Sequence, residues 1–171
     1  MQNKDSAKYK LSHGFTLIEV LITLAIIAIL LNTGVFGYSQ LIDSAQNQKT
    51  ADSLKAAIAQ ARGESITHGG NVRICGSSDG NTCTGSFDGG WISYHDQNID
   101  ALLSAADTIL TRHEIDYSGT TIVATDRDGN DKTDFGFNYR GYPALPVTLE
   151  VGAREGASTV QVHASGRVEI Q

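Results

Sequence analysis

The chain has 171 residues, 13 of them basic and 19 acidic, for a formal charge of −6. That length fits one folded domain, and the acidic balance argues against a surface built to attract nucleic acid. The 40% apolar content is ordinary, but much of it is concentrated in residues 15–31, which argues against a plain cytosolic enzyme.

Residues 1–14 form a polar leader that carries Lys4, Lys8 and Lys10 against Asp5. Residues 15–38 follow as an almost unbroken apolar stretch; at about 1.5 Å per helical residue they are long enough to cross a bilayer core of about 30 Å. Lysines before this stretch and acidic residues beyond it place the leader in the cytoplasm and the C-terminal bulk outside. A secretory signal peptide is the alternative, but no Ala-x-Ala-like cleavage site follows the apolar core. Glu19 is a lone carboxylate in this segment, where an ionised group costs at least about 2.5 kcal/mol at the bilayer centre. A functional role is therefore its default reading, against a carboxylate snorkelling at the membrane surface.

The segment Gly14-Phe15-Thr16-Leu17-Ile18-Glu19-Val20-Leu21 resembles the prepilin signature of type IV pilins and type II secretion pseudopilins. The resemblance implies that a prepilin peptidase cuts between Gly14 and Phe15 and methylates Phe15. It also implies that Glu19 pairs with the N-terminal amine of a neighbouring subunit. A buried carboxylate that gains its partner only when subunits meet would set register as well as association. Such a protein is a single-pass resident of the bacterial inner membrane, with its C-terminal domain in the periplasm, and its partners are the peptidase and other pilins or pseudopilins.

Past Tyr38 an amphipathic helix is expected over residues 39–63, because Leu41, Ile42, Ala45, Ala51, Leu54, Ile58 and Ala61 recur mostly at helical spacings. Gly63, with Gly69 and Gly70 after it, marks the expected end. Beyond Asn71 the period changes to short alternating or β-branched runs at 72–75, 91–94, 121–123, 135–139, 147–151, 160–162 and 168–170, separated by Gly, Asp, Asn or Pro. The expected fold class is α+β, with the long N-terminal helix packed on an antiparallel, sandwich-like β domain over residues 71–171.

Cys75 and Cys83 enclose a short loop. In an exported domain a disulfide is the leading reading and would contribute roughly 2 to 3 kcal/mol, with free thiols as the alternative. Gly76-Ser77-Ser78-Asp79-Gly80 formally matches the G-x-S-x-G of a serine hydrolase, but no helix is expected after it, so catalysis through Ser78 is not expected. Asp126, Asp128, Asn130 and Asp134 fit positions 1, 3, 5 and 9 of a calcium loop, whereas Asp131 and Phe137 occupy the places of the turn glycine and the bidentate glutamate. A solvated hairpin turn is the favoured reading and a calcium site the alternative. His68, His95, His113 and His163 show no metal-ligand spacing, and Trp91 reads as a core anchor. No cofactor is expected.

The Cys-bracketed loop, the run Gly89-Gly90-Trp91-Ile92-Ser93-Tyr94-His95-Asp96, then Asp107-Thr108-Ile109-Leu110-Thr111-Arg112, Phe137-Asn138-Tyr139-Arg140-Gly141 and Ser165-Gly166-Arg167-Val168 together are similar to the FimT/FimU/GspH group of minor pilins and pseudopilins. That resemblance implies a low-copy subunit that primes or caps a type IV pilus, with a type II secretion pseudopilin as the close alternative. Some FimT-like members bind DNA through a C-terminal Gly-Arg-x-Arg pattern. Here Glu169 stands where the second arginine would be, leaving Arg154 and Arg167 as the candidate DNA contacts. The stretch after Leu31 holds 10 basic and 17 acidic residues, which opposes attraction to phosphates.

Overall fold

The computed structural model describes residues 14–115, 119–152 and 156–171, and at residues 32–37 the backbone only. The described elements are one helix, α1 (Leu17–His68), and eight strands: β1 (Asn71–Gly76), β2 (Gly90–Asp96), β3 (Thr108–Glu114), β4 (Ile122–Asp126), β5 (Asp134–Phe137), β6 (Val147–Val151), β7 (Ser158–Val162) and β8 (Val168–Ile170). The chain divides into two compact units, Met1–Ser39 and Gln40–Gln171.

The first unit holds the opening of α1. The described apolar side chains from Phe15 to Leu31 are all exposed, Phe15 at 82%. Among the described residues no helix is long and apolar enough to cross a membrane. Described side chains stop at Leu31 and resume at Tyr38, so the expected 15–38 span is described only in part.

In the second unit two antiparallel sheets share one core with the later part of α1. Sheet A has the order β3-β2-β1-β5 and sheet B the order β4-β6-β7-β8. Ala51, Leu54, Ile58 and Ala61, at spacings of three and four, bury one helix face among Val72, Ile74, Trp91, Phe135, Phe137, Leu149 and Val160. Alternation along β6 and β7 turns Val147, Leu149, Val151, Val160 and Val162 inward. Each such aliphatic side chain contributes about 1.5–3 kcal/mol by leaving water. A smaller cluster of Cys75, Ile92 and Tyr94, with Leu103 and Ile109 packed against it, lies apart from this core.

Two elements depart from the sequence expectation. The helix passes through Gly63 and ends at His68, because the left-handed residue that terminates it is Gly69, at φ 65°. The Gly70 N–H then donates to the Ser65 carbonyl at 3.2 Å, which closes a Schellman cap. A lone glycine costs a helix interior only about 1 kcal/mol, whereas buried Ala61 and Ser65 on either side of Gly63 belong to the packed face. The second departure is β3, which none of the expected strands covered. It is an edge strand whose exposed or half-buried residues do not alternate in burial.

Candidate assembly site

Thr16 precedes the first helical residue, and the Glu19 N–H donates to its carbonyl at 3.1 Å and to its hydroxyl at 3.4 Å. This satisfies one of the amide donors that a helix start leaves without a partner. Thr16-x-x-Glu19 has the spacing of a capping box, a signal that the sequence reading passed over. Glu19 lies in the first turn, where the helix macrodipole favours negative charge. The Thr23 hydroxyl donates to the Val20 carbonyl at 2.9 Å, so its polarity is satisfied within the helix. A Cβ built on Gly14 would meet nothing within 4 Å. Among the described residues, then, nothing fills the place that a side chain at Gly14 would take.

In the second unit Cys75 and Cys83 are joined by a disulfide. Asp79 organises the loop it closes, accepting from the N–H groups of Asn81 at 2.9 Å and Thr82 at 2.8 Å and from the hydroxyls of Thr82 at 2.8 Å and Ser77 at 3.1 Å. The Asn81 and Thr82 amides above all hold its carboxyl well below the usual range. Arg112 Nε donates to the Gly80 carbonyl at 2.7 Å and ties the loop to β3. The strand after Ser78 is β2, so the turn into a helix that a hydrolase elbow needs is not formed.

At residues 126–134 Asp126 holds a turn together. Asp126 Oδ1 accepts from the N–H groups of Asp128 and Asn130, both at 2.9 Å, and Oδ2 faces Lys132 Nζ at 3.0 Å. The Asp126 N–H in turn donates to the Asn130 carbonyl at 2.9 Å, and Thr125 bridges Asp131, which makes the segment a hairpin turn. These bonds, led by the Asn130 amide, push the Asp126 carboxyl well down. Asp134 belongs to β5 and pairs with Arg73. Among the described residues no three His, Cys, Asp or Glu side chains could hold a metal ion.

Of the two candidate DNA contacts, Arg154 lies outside the described residues. Arg167 is paired with Glu169, whose other oxygen faces His163 Nε2 at 2.9 Å. The carboxylate that interrupts the arginine pattern thus neutralises the arginine that remains. The other histidines are dispersed. His68 pairs with Glu64 at 2.9 Å along α1, His113 stacks on buried Trp91 at 4.2 Å, and the His95 ring covers Gly70.

The family model described as Type II transport protein GspH matches residues 50–166, which cover the later part of α1 and nearly all of the β region. The chain belongs to the GspH family. A second model, the Prokaryotic N-terminal methylation motif, matches residues 9–31 of this GspH-family chain. The chain is thus a minor pilin or pseudopilin of the type IV pilus or type II secretion class, and its family is one of structural subunits. No curated protein matches it. Among solved structures, the type IV minor pilin FimU of Pseudomonas aeruginosa is similar at a TM-score of 0.52 and 17% identity, over 72% of this chain and 87% of that one. A second crystal form of FimU gives 0.50 and 17%, over 72% and 91%. The minor pseudopilin EpsH of the Vibrio cholerae type 2 secretion system gives 0.48 and 11%, over 73% and 94%. At such identities the likeness to FimU is one of fold.

Proposed function

We propose that this protein is a minor pilin that primes or joins a type IV pilus. A prepilin peptidase cuts it between Gly14 and Phe15 and methylates Phe15, and residues 15–38 anchor it in the inner membrane with residues 39–171 in the periplasm. Glu19 receives the new N-terminal amine of a neighbouring subunit. The observation that carries this reading is the methylation motif over residues 9–31 together with Glu19 in the first helical turn, beside exposed apolar side chains. Cleavage creates a cation one helical turn from a carboxylate position, and a pair so desolvated is stable only when both partners are present.

The second reading, a type II secretion pseudopilin, is favoured by the family model that matches residues 50–166. It shares the anchor chemistry and differs in the fibre joined. A DNA-receptor role is disfavoured by the Arg167–Glu169 pair. The test is the intact mass and N-terminal residue of the membrane-extracted protein from cells that carry the peptidase, followed by its recovery in sheared pili. A chain that begins at methylated Phe15 and enters pili is expected. A chain that begins at Met1 overturns the processing, and a processed chain absent from pili but required for secretion moves the assignment to the pseudopilus.

A further inference from the structure

The outer face of sheet A carries a polar centre that the anchor chemistry does not use. Val72 and Ile74 of β1 enter the main core, so Arg73 turns to the other face. On β2, Asp96 shares that face with Ile92 and Tyr94 by the same alternation. Arg73 stands opposite Tyr94 on one side and Gly136 on the other, and pairs diagonally with Asp134. A Cβ on Gly136 would come within 2.9 Å of Arg73 Cγ, so the glycine makes room for the arginine to lie across the sheet.

A cavity of about 260 Å³ opens on this face, with Arg73, Asp96, Ile99, Ala101, Asn138 and Ala144 in its lining. Two buried polar atoms of that lining have no hydrogen-bond partner: the donor Arg73 Nε and the acceptor Asp96 Oδ1. Asp96 is only 3% exposed, and its other oxygen accepts from the Ala101 N–H at 3.1 Å. Buried groups left in this state are costly, and each calls for a complementary group.

The loop at the mouth is held in a strained form. Ile99 has φ 61° and Ala101 φ 65°, a region that a β-branched residue rarely enters. Asp100 fixes it by accepting from the Leu102 N–H at 2.8 Å and from Asn98 Nδ2 at 2.7 Å. The result is that Ile99 is 72% exposed at the cavity, with Leu102 also exposed beside it. Tyr139 and Leu145, next in the chain to the lining residues Asn138 and Ala144, are exposed as well.

We propose that this cleft receives an extended polypeptide segment from a different pilin subunit, with a backbone C=O on Arg73 Nε, an N–H on Asp96 Oδ1 and an apolar side chain against Ile99 and Leu102. An extended residue presents its N–H and C=O on one side, so one residue can meet both groups. Among the described residues of the second unit, the large exposed apolar side chains away from the cleft and the 138–145 segment are Leu41, Ile42, Ile66 and Val123. These lie in α1 or in the paired strand β4, so among the described residues outside 138–145 none of them is a free extended apolar segment that a copy of this chain could offer. That the partner is a pilin rests on the proposed function.

The test places the photo-crosslinker p-benzoylphenylalanine at Leu102 of the full chain in cells that carry the assembly system, with Val123 as the control position. A light-dependent adduct to a different subunit with a methylated N-terminus is expected from position 102 and not from 123. Ala144→Phe fills the cavity from an exposed position and is expected to weaken the adduct about tenfold, the loss of one good contact. The chain level and the Cys75–Cys83 disulfide of that variant report that it is folded. No adduct from position 102 in a chain that is processed and enters fibres overturns the cleft and leaves the proposed function standing. An adduct to a second copy or to a protein that is not a pilin, or one indifferent to Ala144→Phe, also overturns it. A chain that keeps residues 1–14 and enters no fibre overturns the functional reading and this one with it.

Discussion

Arg62 Nε donates to the Gly141 carbonyl at 3.0 Å, across 79 residues of sequence. A second guanidinium nitrogen donates to the Ser165 carbonyl at 3.1 Å, so one helical side chain fastens the loop after β5 and the loop after β7. Gly141 and Gly166 are at φ 75° and 77°, and a Cβ on either would approach the Arg62 side chain. Arg62→Leu leaves two carbonyls without their donor and is expected to cost about 1–3 kcal/mol. Gly166→Ala adds a left-handed alanine and a contact with the Gly141 carbonyl, and should cost at least as much. Urea denaturation of the detergent-extracted chain measures both, and an unchanged midpoint in Arg62→Leu would remove the clamp from this account.

Gly14 has open space around it among the described residues, so Gly14→Ala or a bulkier residue is expected to fold normally and accumulate as precursor. Intact mass would show it heavier by the leader. Glu19→Ala is expected to be processed and inserted but recovered in sheared fibres at less than about a tenth of the normal amount, since an ion left without its partner costs several kcal/mol. Normal recovery in the fibre fraction would argue against the assembly role.

Cys83→Ser is the cleaner way to remove the cross-link, because Cys75 is fully buried beside Ile92 and Tyr94 whereas Cys83 is exposed. A loss of about 2–3 kcal/mol is expected from the short loop released. Cys75→Ser should lose more, since it also places a hydroxyl in an apolar cluster. Equal losses in the two variants, read from thermal midpoints, would contradict that order.

Asp79 and Asp126 are both held below the ordinary carboxylate value of about 3.9 by hydrogen bonds to the ionised form. The unfolded chain binds protons at these groups more readily than the native one. Their contribution is therefore present above the unfolded value and is lost as pH falls below it. The thermal midpoint is expected to be flat from neutral pH to about 5 and to fall below about 4. A variant with Asp79→Asn and Asp126→Asn should be less stable at neutral pH and decline less steeply in acid. An acid decline as steep as that of the unmodified chain would mean that other carboxylates carry it.

The helix and most strands are legible because burial imposes a period on them: three and four along Leu54, Ile58 and Ala61, two along Val147, Leu149 and Val151. β3 is not, since an edge strand with one hydrogen-bonded neighbour can place Arg112, His113 and Glu114 where a central strand could not. The run at 135–139 ends early as a strand because Asn138 accepts from the N–H groups of Arg140 at 2.9 Å and Tyr142 at 3.2 Å and turns the chain. At the candidate sites, residues adjacent in sequence could be read, as in the prepilin signature or the Cys-bracketed loop. The Arg73–Asp134 pair could not, because only the antiparallel register of β1 and β5 brings those residues together.

Three of the four open sides of the sheets are guarded in ways that bear on crowding. Lys132 donates to the Ala124 carbonyl at 2.8 Å along the outer side of β4, and Ala144 reaches the Gly136 carbonyl at 3.4 Å along that of β5. β8, at the far side of sheet B, is three residues long. Unpaired strand edges are where like domains zip into aggregates. Along these three edges copies of this domain held close together have little exposed backbone through which to stick to one another, which leaves β3, seven residues long at the far side of sheet A, as the edge through which they would meet.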